Sequence, residues 1–288
     1  MSQHNLATLA GLCAILLWSS LALATSATGQ VPPFLLTALT FAIGGGAGLG
    51  VALARGAGRA VLSQPWPVWL HGVGGLFGYH AFYFSAMKLA PPAQVGLIAY
   101  LWPLLIVLFS GLLPGERLRA PHVVGALMGL AGTVVLLAGD AGGLALTEQH
   151  ALGFAAAGAC ALIWSSYSVL ARGRFRAVPT EAVAGFCIVV AVLAALCHLA
   201  FELPLWPHGA SEWLAVAALG LGPVGLAFYA WDIGMKRGDI RLLGVASYAG
   251  PVLSTLLLIA AGYAAASKAL ALACALIVGG ALLAALWG

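Results

Sequence analysis

Residues 6–27 read LATLAGLCAILLWSSLALATSA, and residues 151–171 read ALGFAAAGACALIWSSYSVLA. Each run has about the 20 apolar residues that a helix needs to cross a hydrocarbon core roughly 30 Å thick. Neither contains Asp, Glu, Lys, Arg or His, and both carry Trp-Ser-Ser near the middle. The same kind of run recurs along the rest of the chain, so these two stretches decide the fold. They read as helices because backbone polar groups in lipid must be satisfied within the segment. Unalternating runs of this length are also too long for barrel strands. The first run lacks a basic leading region and is read as a true span, not a cleaved leader.

Composition agrees. The chain has 288 residues, of which 62% are hydrophobic and 7% charged, with a mean hydropathy of +1.05. That balance cannot cover a soluble surface. It excludes a soluble Rossmann enzyme, a disordered chain and a secreted disulfide scaffold. The net charge of +4 is scattered between apolar runs, so no face is offered to nucleic acid. Cys13, Cys160, Cys187, Cys197 and Cys274 lie inside apolar stretches without metal-ligand spacing and read as small buried hydrophobes. No metal or cofactor is expected.

Ten spans are counted, at 6–27, 33–54, 67–88, 92–113, 121–139, 151–171, 180–201, 211–235, 241–262 and 267–287. Orientation follows from Lys and Arg on alternate connections. One set carries Arg55, Arg59, Arg117, Arg119, Arg172, Arg174, Arg176, Lys236, Arg237 and Arg241, and the other only Lys88 and Lys268. This places both termini of the multi-pass protein in the cytoplasm. Trp66, Trp69, Trp206, Trp213 and Trp287 fall at span ends as an interfacial belt.

The chain repeats at half-length. Trp18-Ser19-Ser20 recurs 146 residues on as Trp164-Ser165-Ser166, and Phe82-Tyr83 recurs as Phe228-Tyr229. Two extra residues then shift the offset to 148, matching Met87-Lys88 with Met235-Lys236 and Tyr100-Leu101-Trp102-Pro103 with Tyr248-Ala249-Gly250-Pro251. Five spans per copy is an odd number, so the second copy, residues 149–288, lies upside down relative to the first, residues 1–148. The expected fold is an all-α integral membrane protein of ten helices, built as two inverted five-helix repeats around a central cavity.

The site is sought at mid-depth. Trp18, Trp102 and Trp164 sit near span centres, where an indole N–H wants a partner or water. Tyr79, His80 and Tyr83 fall within an arc of roughly 100° on the third span. With Tyr100, Ser247 and Tyr248 at similar depth, these nine residues outline one aromatic, polar chamber. Any one alone reads as a satisfied core residue, and the clustering favours the chamber. Pro103 cannot donate to the carbonyl of Ala99, nor Pro251 to that of Ser247, so both helices kink there and free an acceptor. Those acceptors, with Ser247 and His80, suit a substrate ammonium, and the rings suit its side chain. No Arg or Lys lies at a span centre, which argues against phosphate or nucleotide-sugar substrates. Asp232 is read as paired with Lys236 one turn on. Glycines 44, 48, 125, 129 and 132 read as close helix packing, and Gly72, Gly74, Gly75 and Gly78 as packing or ease of rocking.

Trp18-Ser19, the string Tyr100-Leu101-Trp102-Pro103, Trp231 and Ser247-Tyr248 followed by Pro251-Val252-Leu253-Ser254 resemble the drug/metabolite transporter superfamily, in its EamA-like branch. The resemblance runs over essentially the whole chain. It implies an inner-membrane exporter of amino acids, with Phe, Tyr and Trp foremost and other neutral ones beside them. Asp232 departs from the neutral polar residue that the resemblance implies at its position. Two alternatives stand beside this reading. A multidrug exporter would hold lipophilic cations such as methyl viologen against the same rings. An intramembrane enzyme would need a nucleophile and base at one depth, which His80 and scattered serines do not supply. Ten helices can enclose a cavity without a partner chain, so a monomer in the bilayer is expected, and no catalytic residue is assigned.

Overall fold

The computed structural model describes residues 1–140, 148–263 and 265–287, and among them every regular element is helical. The half boundary drawn at residue 148 follows residues 141–147, which lie outside the described residues. The first half holds α1 (Gln3–Ser19), α2 (Leu21–Ser26), α3 (Pro33–Ala54), the short α4 (Gly58–Leu62), α5 (Trp66–Leu89), α6 (Pro92–Ala99), α7 (Trp102–Ser110) and α8 (Ala120–Asp140). The second holds α9 (Ala151–Arg172), α10 (Ala182–Phe201), α11 (Gly209–Leu221), α12 (Ala227–Arg237), α13 (Ile240–Ala246), α14 (Ala249–Ala260) and α15 (Lys268–Trp287).

Among the described residues, seven helical stretches are long and apolar enough to cross a membrane: Gln3–Ser26, Pro33–Ala54, Ala120–Ala138, Ala151–Arg172, Ala182–Phe201, Gly209–Arg237 and Lys268–Trp287. The pair Ile240–Ala246 and Ala249–Ala260, bent by 40°, makes an eighth when taken as one broken span.

Local sequence sets the helix ends. Ser2 caps α1 by accepting from the Asn5 N–H at 3.2 Å, and Asp239 caps α13 by accepting from Arg241 and Leu242. The α3 start is capped from outside its own segment: Glu202, just past α10, accepts from the N–H groups of Phe34 at 2.9 Å and Leu35 at 3.1 Å. A carboxylate there also meets the positive end of the helix dipole. The Gly29 turn between α2 and α3 has φ +69°, a left-handed conformation that glycine adopts without strain.

The principal helix pairs are α1 with α12, α5 with α9, α3 with α10 and α8 with α15. Small residues bring backbones together both within these pairs and where α3 meets α11 and the turn after it. A Cβ on Gly44 would stand 2.7 Å from the Gly220 carbonyl oxygen and 2.8 Å from Gly225 Cα, and one on Gly132 would meet Ile277 and the Ala273 carbonyl. Phe186 covers Gly72 and Tyr167 covers Gly75, so those two glycines are packing positions.

Besides the turn at Ser20 between α1 and α2, three interruptions of helical regularity among the described residues border the interior described below. The α6 helix stops at Ala99 and α7 starts at Trp102, one residue before Pro103, whose missing N–H cannot continue the ladder. The break from α13 to α14 falls at Ser247–Tyr248. The third is a π-turn, Gly222–Leu226, between α11 and α12; such turns mark functional sites in many helices.

Candidate functional site

A cavity of about 670 Å³ opens from one end of the bundle to its centre, within the roughly 300–1,000 Å³ of small-molecule pockets. Thr25, Val31, Pro33 and Met87 border its mouth, and Trp18, Trp102 and Trp164 lie at its depth. Of the nine residues singled out in the sequence, eight line it: Trp18, Tyr79, His80, Tyr83, Tyr100, Trp102, Trp164 and Ser247. Tyr248 does not. It is fully buried, and its hydroxyl accepts from the Leu104 N–H at 3.2 Å. One residue's advance along a helix turns a side chain by about 100°, which carries Tyr248 away from the chamber that Ser247 faces.

The inner end of the cavity is a block of indoles. Trp18 has its ring centroid 5.6 Å from that of Trp164 and 5.1 Å from Trp231, and Trp102 lies 5.8 Å from Trp231. Edge-to-face and offset arrangements at such distances are favoured by the ring quadrupoles. Two indoles are anchored by hydrogen bonds: Trp18 Nε1–H donates to the Pro223 carbonyl at 2.9 Å, and Trp231 Nε1–H to Ser168 Oγ at 3.1 Å. The first bond shows what the π-turn does, since its loosened ladder presents the Pro223 carbonyl to the interior. Along the wall, Tyr79 stacks on Tyr83 with centroids 5.9 Å apart, and His80 meets Phe41 edge-on at 5.2 Å.

The polar groups in this wall include both donors and acceptors, the donors being the phenol O–H groups of Tyr79, Tyr83 and Tyr100 and the indole N–H groups of Trp102 and Trp164. His80 Nδ1 lies 2.7 Å from the Leu76 carbonyl. A carbonyl can only accept, so Nδ1 carries the proton and Nε2 of the neutral ring is left as an acceptor. Ser247 donates its hydroxyl to Leu243 at 2.7 Å, leaving its oxygen lone pairs. Ala99 also lines the cavity, and Pro103 has no N–H to donate to its carbonyl. The matching carbonyl of Ser247, expected to be free, is not: it accepts from the Gly250 N–H at 3.1 Å. A three-residue bond across the break replaces the four-residue bond that Pro251 cannot make.

Sequence reasoning missed several wall residues. Phe41, Phe84, Phe228, Thr37 and Thr40 line the cavity, and the buried Trp231 packs behind Trp18 and Trp102. Phe228 carried a signal as the repeat mate of Phe82. The two mates differ, however, since Phe82 is 45% exposed on the outer surface and Phe228 is 6% exposed inside.

The opposite end of the bundle is shut by charges. Glu116 pairs with Arg172, whose Nε donates to Oε1 at 2.6 Å, and Arg241 Nε stands 3.7 Å from Oε2. Arg172 also donates to the carbonyls of Met235 and Gly238 at the α12 end, 3.3 and 2.8 Å away, which satisfies acceptors that a helix leaves open. Asp232 and Lys236 pair as expected, Nζ lying 2.7 Å from Oδ1, with both side chains buried. Thr180 donates to Asp232 at 2.6 Å, and Lys236 donates to the Val178 carbonyl at 2.7 Å.

Seven or eight apolar spans among the described residues, around a one-ended aromatic cavity, define a membrane transporter of small molecules. The chain belongs to the EamA-like transporter family, which matches residues 5–138 and again 151–286. It is 71% identical over 286 residues to the aromatic amino acid exporter YddG of Ancylobacter novellus, covering 99% of each chain. The exporters of the same name from Salmonella typhimurium and Escherichia coli are 29% and 28% identical, over 57% and 62% of this chain and 57% and 60% of theirs. A protein of known crystal structure, 70% identical, superimposes with a TM-score of 0.95 over 99% of this chain and 98% of its own.

Proposed function

We propose that this protein exports amino acids, aromatic ones above all, from the bacterial cytoplasm by alternating access at the aromatic cavity. The observation that carries this reading is the cavity wall itself. Rings flank it on several sides, and beside the phenol and indole donors its polar groups include the acceptors His80 Nε2, Ser247 Oγ and the Ala99 carbonyl that Pro103 leaves without its helical donor. An α-ammonium offers three N–H donors to such acceptors, while an aromatic side chain packs against the indoles. An ammonium over an indole adds about 0.5 to 2 kcal/mol. Trp18, Tyr79, His80, Tyr83, Tyr100, Trp102, Trp164 and Ser247 form the substrate wall in this reading. The activity of the 71%-identical relative supports the same substrate class.

The architecture in this reading is ten crossings in two inverted halves, residues 1–148 and 149–288. Two elements join the eight spans above. The 24-residue α5 is about 36 Å long at 1.5 Å per residue, and its mean hydropathy is lowered by His71, Tyr79, His80 and Tyr83, which face inward. The broken pair α6 and α7 forms the other. Helix pairing supports the inversion: exchanging the halves turns the α1–α12 pair into α9–α5 and returns α3–α10 and α8–α15 to themselves. The family's double match, once per half, supports it too.

The Arg-rich connections lie at the charge-closed end, so by the positive-inside rule that end and both termini are cytoplasmic, and the mouth faces outward. The protein works as a monomer in the inner membrane and, as a transporter, catalyses no covalent chemistry. Tryptophan fluorescence of the purified protein tests the site. Titration with Phe or Tyr should quench emission saturably, and Trp102→Ala or Ser247→Ala should weaken apparent affinity about tenfold. Unchanged affinity in both variants removes these residues from the site.

A further inference from the structure

We infer that Tyr100 and Tyr248 exchange roles each time the cavity switches the end to which it opens. One tyrosine caps the broken helix of the other half while its mate lines the cavity, and turnover swaps them. The inference rests on the inverted-repeat reading given above.

The two breaks are matched in sequence. Tyr100 precedes Tyr248 by 148 residues, Gly96 precedes Gly244 by the same number, and Leu104 so precedes Val252. Their side chains are not matched in position. Tyr248 crosses to the first half, where its hydroxyl accepts from the Leu104 N–H. That N–H lies in the first turn of α7, where helices lack internal acceptors. Its ring packs on Gly129, where an added Cβ would lie within 2.7 Å of Tyr248 Cγ. Tyr100 instead stands in the cavity wall, and among the described residues no hydrogen bond is made by its hydroxyl. That hydroxyl is already near the reciprocal place, 3.5 Å from where a Cβ on Gly250 would be, beside the first turn of α14.

Two halves equivalent in sequence but unequal in conformation become each other's image when the opening moves to the other end. In that state Tyr100 accepts from the Val252 N–H, and Tyr248 leaves Leu104 to line the cavity. One capping bond replaces another, so neither state is strongly favoured, as a transporter needs in order to cycle. This also gives Tyr248 the cavity position that its sequence suggested. The same mapping converts Thr25, at the mouth, into Ala171, 146 residues on and 3% exposed at the closed end.

Ala171→Cys therefore reports opening of the closed end, in a background whose five native cysteines are replaced by alanine. With purified, substrate-free protein and a maleimide, Tyr248→Phe should raise the labelling rate at position 171 about fivefold, and Tyr100→Phe should lower it about fivefold. A hydrogen bond of about 1 kcal/mol sets that factor. The double variant should return close to the parent rate. Shifts in the same direction, or none, overturn the exchange. If Tyr248→Phe fails to accumulate folded, Tyr100→Phe alone decides, because it must slow labelling. Phe counterflow by the parent protein separates this from the export reading. Opposite shifts without counterflow sink the substrate and leave the exchange. Counterflow without opposite shifts does the reverse.

Discussion

Asp232 and Lys236 show how far single residues can be read. Their spacing of four on one helix gave the pair away, since such neighbours face each other. Nothing local pointed to Thr180 and Val178, 52 and 58 residues away, which complete the cluster. A buried charge that loses its partner costs about 3 to 5 kcal/mol, whereas an apolar replacement of both partners costs little. Asp232→Asn should therefore lower the thermal unfolding temperature markedly in detergent, and adding Lys236→Met should recover most of the loss. A single variant as stable as the parent would show that the pair is not sealed from water. The two tyrosines make the opposite lesson. Tyr100 and Tyr248 are alike in sequence, and only three-dimensional packing puts one in the wall and the other behind it.

At the scale of elements, apolar length exposed most of the helices and proline exposed two of the breaks. The π-turn at Gly222–Leu226 escaped, because one extra residue per turn leaves no mark on a uniformly apolar stretch; Gly222-Pro223 was its one local signal. What that turn accomplishes depends on α3. Gly44, Gly220 and Gly225 meet backbone to backbone there, which holds the Pro223 carbonyl under Trp18. Gly44→Val should force α3 off this contact, lowering stability by about 1 to 3 kcal/mol as overpacked cores do. Gly46→Val, whose Cβ would meet nothing within 4 Å, is the control and should unfold like the parent. Equal effects at the two positions would mean that the close approach carries no weight.

For the molecule as a whole, composition alone declared the membrane, and the mid-span aromatic and polar residues pointed to eight of the residues that line the cavity. The sequence does not disclose that the cavity opens to one end only. Closure is made by Glu116, Arg172, Arg241 and the carbonyls ending α12, groups from four separate segments whose meeting depends on how the bundle is packed. The central claim is that aromatic amino acids cross the membrane through this indole-floored chamber. Counterflow of radiolabelled Phe into proteoliposomes preloaded with unlabelled Phe measures that directly. The account predicts transient accumulation of label by the parent protein and loss of nearly all of it in Trp102→Ala protein that remains folded. No accumulation with any amino acid, or full accumulation without the Trp102 indole, would contradict it.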